Sequence, residues 1–163
     1  HSFPTRRSSD LEAVTSYTSR AAERMRKQES VATSLYVYIR TSPHDDKKQY
    51  ANGVNIPLFQ PSDDSMVLTN AALLGLDYIY RDGFDYQKAG VTLCNLTSKH
   101  KMQGNLFNDT IAHSRMKIMD IINQRWKGKL KLGSEGVTKE WEMKAQFKSR
   151  NYTTDWDQLM IAS

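Results

Sequence analysis

The residues whose types and spacing most clearly suggest a binding site are Gln103-Gly104-Asn105-Leu106-Phe107. The residues on both sides of this short segment are mainly polar. The segment joins one hydrogen-bonding amide, on Gln103, to two adjacent large apolar side chains, on Leu106 and Phe107. The flanking residues follow neither helical nor strand periodicity, so nothing nearby in the sequence would bury the apolar pair. An extended peptide with one amide and two apolar anchors is suited to binding in a groove on another protein. The alternative is a loop whose apolar pair folds back onto its own domain.

The sequence contains no group of residues with the spacing typical of a catalytic or metal-binding site. His44, His100 and His113 lie in polar stretches, without the spacing to a nucleophile or to further ligands that such sites need. Asp63 and Asp64 could approach a cation, but the start of a helix explains the pair more simply. The sequence therefore predicts a binding role, with no catalytic residue, no metal site and no cofactor in this chain.

A second candidate site lies on a predicted strand, residues 31–39, in which side chains alternate. If the odd-numbered side chains face a core, Tyr36, Tyr38 and Arg40 lie on the opposite, open face of the sheet. Guanidinium and hydroxyl groups on such a face can bind phosphates without reading the base sequence. The alternative is an ordinary solvated sheet face that carries two tyrosines.

The same alternation in the predicted strand 86–96 places Lys88 and Thr92 on the open face. They flank Gly90, where the missing side chain would let another backbone come close. An RNA-recognition module has a similar sheet, but it stacks bases on aromatic side chains, and residues 88–93 contain none. The pattern therefore favours contact with a nucleic-acid backbone over base stacking.

Composition fits one domain, or one domain with a small appendage, at 163 residues with 39% hydrophobic and 25% charged residues. The net charge of +5 favours an anionic partner. Cys94 is the only cysteine, so a disulfide framework or a cysteine zinc site cannot form. No apolar run approaches the roughly 20 residues of a membrane span, and no signal peptide opens the chain. We therefore expect a cytoplasmic protein with no membrane partner.

Two helices are predicted to support the strands. The first spans residues 11 to about 28, with apolar side chains near helical spacing and with Asp10 as its N-cap. The second spans residues 65 to about 81 and begins after the two aspartates named above. It is apolar almost all round, which predicts a well-buried helix that ends at Asp82-Gly83.

A short second strand is predicted at residues 54–58, in an edge or irregular position because Pro57 cannot donate a backbone hydrogen bond. Helix, strand, strand, helix and strand together predict an α+β fold, a ferredoxin-like βαββαβ unit whose first strand is missing. In that arrangement the first strand is central, between the third and the fourth, so its loss would be a serious defect. We therefore expect the chain to unfold with poor cooperativity.

The remaining segments differ from this unit, which occupies residues 11–97. Residues 1–10 have no periodicity and resemble translated adapter sequence, which predicts a foreign or disordered leader. Residues 98–114 form a polar linker. Residues 115–163 begin with a predicted helix, followed by short strands and turns that include residues 131–133. They predict a small α+β C-terminal domain, too short for a large core of its own.

Several motifs follow one another along the chain: YIRTSP at 38–43, YQKAGVTL at 86–93, QGNLF at 103–107, and the closing segments MDIIN at 119–123, WEMK at 141–144 and YTT at 152–154. In this order they resemble the C-terminal part of the UmuC family of Y-family translesion DNA polymerases, which includes the catalytic subunit of bacterial DNA polymerase V. The resemblance covers nearly everything after residue 10.

The resemblance implies that the parent protein acts in SOS DNA repair and SOS mutagenesis, close to the nucleoid. The catalytic carboxylates of the family and their Mg²⁺ belong to a palm domain upstream, so this fragment would be non-catalytic. Residues 11–97 would be the little finger, the domain that holds damaged primer–template DNA by its backbone. The residues that match its DNA-facing strands are Arg40, Thr41, Lys88, Gly90 and Thr92.

The resemblance also makes Gln103, Leu106 and Phe107 a peptide that binds the sliding clamp. It implies two further partners, the cleaved accessory subunit UmuD and RecA. Gly104 stands where such peptides usually have leucine, which removes one apolar contact and adds chain entropy, so we expect weaker docking. Where the family has a strand before its first helix, this chain has the leader. The alternative function is a stand-alone protein-interaction module without DNA binding.

Overall fold

The computed structural model describes residues 6–44, 47–99, 110–125 and 130–135. Helices pack on one face of an antiparallel sheet, which confirms the predicted α+β fold. In chain order the elements are α1 (Arg6–Lys27), β1 (Ser30–Thr41), β2 (Ala51–Ser62), α2 (Ser65–Ile79), β3 (Tyr86–Cys94), β4 (Thr97–Ser98), α3 (Thr110–Arg125) and a 3-10 helix (Gly133–Glu135).

β1 is the central strand of the sheet, because it pairs with β2 along one edge and with β3 along the other. The short strand β4 also pairs with β1, where Val31 lies opposite Thr97. The sequence analysis expected the central strand of the sheet to be missing, which would leave a gap between β2 and β3. The structure corrects this expectation. β1 itself occupies that place, so the sheet is continuous through β2, β1 and β3.

β2 extends beyond the predicted residues 54–58 in both directions. Within the described part of the chain it pairs only with β1, so Pro57 lies on an edge strand, as predicted. The register shifts beside this proline, since Ser34 lies opposite Pro57 while Ala32 lies opposite Ser62. An edge position tolerates both the missing amide and the irregular pairing.

α1 begins at Arg6, and the predicted N-cap role of Asp10 is therefore wrong. No glycine or proline stands between Pro4 and Asp10, so no residue there stops the helix from extending towards the N-terminus. The foreign origin of residues 1–10 stays a prediction. At the other end of the helix, Glu29 adopts a φ of 51°, a left-handed conformation that turns the chain from α1 into β1.

α2 begins where the sequence predicts. The carboxylate of Asp64 accepts a hydrogen bond from the Met66 backbone N–H at 2.7 Å, which confirms the expected capping role for Asp64. Asp63 instead forms an ion pair with Lys99. The helix is not buried all round, however, because Leu74 is 70% exposed and Tyr78 81% exposed. The sheet and α1 cover the rest of its circumference. The expectation of a well-buried helix is thus wrong for one face.

The core lies between the sheet and the two helices α1 and α2. Gly75 lets α2 approach the sheet closely, since a Cβ there would lie 3.1 Å from Ile56 and 3.2 Å from Val37. Every odd-numbered residue from Leu35 to Ile39 points into this core. The buried members are Val14, Ala22, Met25, Ala32, Leu35, Val37, Ile39, Leu68, Ala71, Ala72, Leu76 and Ile79.

α3 and the 3-10 helix are the described part of the predicted C-terminal domain. α3 begins at Thr110, inside the predicted linker. Met116 and Glu135 are buried, and the 3-10 helix packs against α1. This helix begins at Gly133, within residues for which the sequence predicted short strands and turns. The other elements predicted for this domain lie outside the described residues.

Candidate nucleic-acid interface

The face of the sheet turned away from the helices carries the predicted polar side chains of β1. Leu35, Val37 and Ile39 are buried against the helices, whereas Tyr36 and Arg40 are exposed on the other side. Tyr38 lies between them and its ring stacks near that of Tyr36, with 6.3 Å between the ring centroids. The predicted alternation is therefore confirmed from Leu35 to Arg40, where it produces an open face, but it is wrong at the start of β1, where Ala32 and Ser34 are buried beside the register shift.

Two cations face each other across the β1–β3 ladder on this open face. Arg40 lies directly opposite Lys88 in the register of the two strands, and both side chains are exposed. Within the described part of the chain, no carboxylate forms an ion pair with either of them. Like charges directly opposite one another destabilise a sheet. An anion bound between the two side chains would remove this repulsion.

Gly90 and Gly53 provide space for the two tyrosine rings. A Cβ at Gly90 would lie 2.4 Å from the ring of Tyr38, and one at Gly53 would meet the hydroxyl of Tyr36. The two rings thus lie over the neighbouring strands, Tyr38 over β3 and Tyr36 over β2. The structure gives a reason for Gly90 that the sequence did not reveal. The space above the glycine holds a tyrosine ring of the same sheet.

Of the five predicted DNA-binding residues, the sheet brings together Arg40, Lys88, Gly90 and Thr92. Thr92 is exposed and lies opposite Tyr36. Thr41 lies elsewhere and is buried. Its backbone N–H donates to the Tyr50 carbonyl at 2.9 Å, and its hydroxyl accepts a hydrogen bond from the Tyr50 N–H at 3.0 Å. Thr41 therefore closes the β1–β2 connection and is not part of the open face, because the next residue in a strand points to the other side.

Two arginines of α1 extend the basic surface around the outer edge of β3. An open groove between α1 and β3 is lined by Arg20 and Arg24 on one side and by Gly90 and Thr92 on the other. Both arginines are exposed. From the sequence alone, helical periodicity would place them on the solvated side of α1. Their spacing of four residues places them on one helix face, but only the packing of α1 shows that this face adjoins β3.

An aromatic cluster lies at the end of the sheet near Arg40, formed by Tyr50, Tyr80, Phe84 and Tyr86. The Tyr86 hydroxyl donates to the Arg81 carbonyl at 2.9 Å and accepts from the Arg81 N–H at 3.0 Å. Burial raises the pKa of Tyr86 above its ordinary value, because the charged phenolate would lose hydration. This cluster holds the turn after α2 against the sheet.

The predicted clamp-binding residues Gln103, Leu106 and Phe107 lie outside the described residues. The last described residue before them is Lys99, whose ammonium group forms an ion pair with Asp63. The first described residue after them is Thr110, where α3 begins. The clamp-binding role stays a prediction from the sequence.

Within the described residues, no three or more histidine, cysteine, aspartate or glutamate side chains are grouped so that they could hold a metal ion. None of the helices in the described ranges has both the length and the apolar character needed to cross a membrane.

The sequence of residues 1–106 matches the impB/mucB/samB family C-terminal domain, and residues 115–162 match a domain of unknown function (DUF4113). The chain belongs to the impB/mucB/samB family. It is 36% identical over 155 residues to Protein UmuC of Salmonella typhimurium and 34% identical over 156 residues to Protein ImpB of Salmonella typhimurium. It is also 34% identical over 157 residues to Protein MucB of Escherichia coli.

These alignments cover 91% to 93% of this chain and 37% of each of the three relatives. The chain thus spans little more than a third of the length of the proteins it matches. The match to the impB/mucB/samB family confirms the resemblance to the C-terminal part of UmuC that the motifs indicated.

Proposed function

We propose that this chain is the DNA-holding and clamp-docking part of an error-prone translesion DNA polymerase that acts in DNA repair. The open face of the sheet binds the backbone of primer–template DNA, and residues 103–107 bind the sliding clamp. Membership of the impB/mucB/samB family and the similarity to UmuC support the polymerase assignment. Nucleotide transfer and the Mg²⁺ it uses belong to residues outside this chain.

The observation that carries the DNA-binding proposal is the exposed pair of Arg40 and Lys88. A sheet gains no stability from two cations placed opposite each other, so the pair costs folding free energy unless an anion lies between them. A DNA phosphate supplies that anion, and binding it releases condensed counterions. Arg24, across the groove from Gly90 and Thr92, adds a third positive charge beside the open face.

Contacts of this kind suit a polymerase that works opposite damaged bases. Phosphate contacts fix the position of the duplex but do not depend on base identity. The rings of Tyr36 and Tyr38 fill the middle of the face, over the glycines of the flanking strands. A weak clamp contact through the segment 103–107 would then raise the local concentration of the polymerase at a stalled primer end.

Two of the proposed partners rest on the resemblance alone. The similarity to UmuC supports contacts with the cleaved accessory subunit UmuD and with RecA as further parts of this proposal. A protein with these partners would work at the nucleoid in the cytoplasm. One observation favours the alternative function as a protein-interaction module. The exposed apolar side chains of α2, Leu74 and Tyr78, form a surface that a protein partner could cover.

A salt titration with primer–template DNA tests the proposal against this alternative. We expect duplex binding that weakens linearly with the logarithm of salt concentration and does not depend on base sequence. The double variant Arg40→Gln with Lys88→Gln should flatten the slope by about 2, since each lost phosphate contact removes about 1. Lys117→Gln, an exposed change on α3, is the matched control. The absence of DNA binding at low salt, or an unchanged slope in the double variant, would contradict the proposal.

The clamp contact is tested separately, with a fluorescent peptide of residues 98–110 titrated with sliding clamp. Binding should be lost when Leu106 and Phe107 are both changed to alanine, because the two apolar anchors carry the contact. Gly104→Leu should strengthen binding by restoring one apolar contact. Equal affinity of the parent and the double alanine peptide would show that this segment is not a clamp-binding peptide, without affecting the DNA-binding result.

A further inference from the structure

Two tyrosine rings lie side by side on the open face of the sheet, at nearly the same tilt. The ring planes of Tyr36 and Tyr38 differ by 25°, and 6.3 Å separates the ring centroids. The phenolic end of each ring covers a glycine of a neighbouring strand, Gly53 for Tyr36 and Gly90 for Tyr38. We refer to these two rings as the tyrosine platform.

The tyrosine platform keeps aromatic surface in contact with water. Tyr36 is 41% exposed and Tyr38 is half-buried, whereas Val37 between them is fully buried. Aromatic cover over a glycine stabilises a sheet, and this accounts for the inner side of each ring. The outer side contributes nothing to the core, so it is available to a planar ligand.

A shallow groove of about 370 Å³ adjoins the tyrosine platform on the side of β2. The two rings and Arg40 line it on β1, and Ala51 and Gly53 line it on β2. Sites for small molecules have volumes of about 300 to 1,000 Å³, so the groove has room for a nucleotide. The small side chains of β2 keep its floor low, which lets a flat group reach the rings.

The two cations of the open face lie at one end of the tyrosine platform. Arg40 follows Tyr38 by two positions, about 7 Å along the strand and on the same face. Lys88 lies directly opposite Arg40 on β3. A nucleotide whose phosphate lies between these two cations can therefore place its base over the ring of Tyr38, and the next base can lie over Tyr36.

We propose that the tyrosine platform binds single-stranded DNA by stacking unpaired bases on Tyr36 and Tyr38. Both faces of a base inside a duplex are covered by its neighbours, so only an unpaired base can offer a face to a ring. Stacking tolerates any base sequence, because every base has a π face. The sequence pattern disfavoured stacking because residues 88–93 contain no aromatic side chain. The fold supplies the rings from the central strand β1 instead.

This inference rests on the proposed function, since it names the form of DNA that the same face takes. A single-stranded template beside a primer end provides both groups that the face can bind. Its phosphates reach Arg40 and Lys88, and its unpaired bases reach the tyrosine platform. The phosphate contacts weaken with salt, whereas stacking on an aromatic ring does not release counterions.

The first test uses the unchanged full chain and two labelled single-stranded DNA oligonucleotides of about 12 nucleotides, within the usual site sizes of single-strand binders. One carries all its bases, and the other has abasic sugars at its central positions. Both carry the same phosphates, so their affinities should fall with salt along the same slope. The oligonucleotide with bases should bind about tenfold more tightly. Equal affinity of the two oligonucleotides would overturn the proposal.

Variants of the tyrosine platform test whether its rings cause the preference. Tyr36→Leu with Tyr38→Leu keeps an apolar cover over the glycines but removes both rings. It should bind the two oligonucleotides equally, at the level of the parent chain with the abasic one. Tyr36→Phe with Tyr38→Phe keeps the rings and should retain the tenfold preference. Tyr78→Leu, the same change at an exposed tyrosine of α2, should also retain it.

A tenfold preference that persists in the double leucine variant, or that is lost in the double phenylalanine variant, would also overturn the proposal. Far-UV circular dichroism verifies that each variant is folded. These failures differ from a failure of the proposed function. Salt-dependent binding without a preference for bases would remove only the stacking and leave the phosphate contacts standing. The absence of any DNA binding at low salt would remove both.

Discussion

We expect Arg40 and Lys88 to lower the stability of the fold while favouring the binding of DNA. Because they repel each other across the β1–β3 ladder, Lys88→Gln should raise the free energy of unfolding at low salt, by about 0.2 to 1 kcal/mol. The same change should weaken binding to duplex DNA, because it removes a phosphate contact. Urea unfolding and a DNA titration of the same sample measure the two effects.

Lys47→Gln is the matched control for the change in the free energy of unfolding that we expect for Lys88→Gln. Lys47 forms an exposed ion pair with Asp85 at 2.7 Å, so its removal should leave stability equal or slightly lower. A gain in stability with Lys47→Gln would mean that lowering the net charge, rather than relieving the cross-strand repulsion, explains the effect of Lys88→Gln.

Gly90 can be tested through its contact with Tyr38. Gly90→Ala places a Cβ 2.4 Å from the present position of the ring, so the ring must rotate away. We expect a loss of about 1 kcal/mol in the free energy of unfolding, the cost of an unfavourable rotamer. In a Tyr38→Ala background the ring is absent, and Gly90→Ala should cost nothing. Chemical denaturation of the four proteins of this cycle measures the difference, and an equal cost in both backgrounds would exclude the contact as the cause.

At the scale of elements, we expect the aromatic cluster that joins the turn after α2 to β3 to make the stability of the chain depend on pH. Burial raises the pKa of Tyr86 above its ordinary 10.0, so the folded state favours the neutral phenol. Its contribution to stability is therefore fully present below pH 10.0 and is lost as the pH rises through the folded-state pKa. Tyr86→Phe should make the fall in stability at high pH less steep.

Tyr78→Phe is the control for this pH dependence, because Tyr78 lies on the exposed face of α2. Stability measured by urea unfolding from pH 8 to pH 11 should fall equally in Tyr78→Phe and in the parent chain. If Tyr86→Phe showed the same fall as the parent, burial of Tyr86 would not be the source of the pH dependence. At neutral pH, Tyr86→Phe should also lose about 1 kcal/mol with its hydrogen bonds to Arg81.

For the whole molecule, the continuous sheet reverses the expectation of poor cooperativity. β1 is central, and both α1 and α2 pack on it, while Arg26 and the 3-10 helix connect α1 to the C-terminal domain. We therefore expect one transition for the whole chain. The three tryptophans, Trp126, Trp141 and Trp156, all lie in the C-terminal part, so their fluorescence reports that part alone. Thermal midpoints from fluorescence and from far-UV circular dichroism should coincide. Separate midpoints would show that the two domains unfold independently.

Much of this arrangement follows from the sequence, because it depends on neighbouring residues. The alternation of residues 31–39 decides that Tyr36, Tyr38 and Arg40 share a face, since successive side chains of a strand point to opposite sides. The position of Asp64 before an apolar stretch likewise marks the start of α2. The motifs at 38–43, 86–93 and 103–107, together with the closing segments, indicate the family from their order along the chain.

Only the tertiary structure decided which residues from distant parts of the chain meet. The register of β1 and β3 places Arg40 opposite Lys88 and Tyr38 over Gly90, and no local periodicity encodes a register between strands that far apart. The same holds for Arg26 and Asp120, which are 94 positions apart and meet only after the chain has folded. Helix exposure also depended on packing. α2 is apolar nearly all round, yet only the sheet and α1 determine which of its faces is buried.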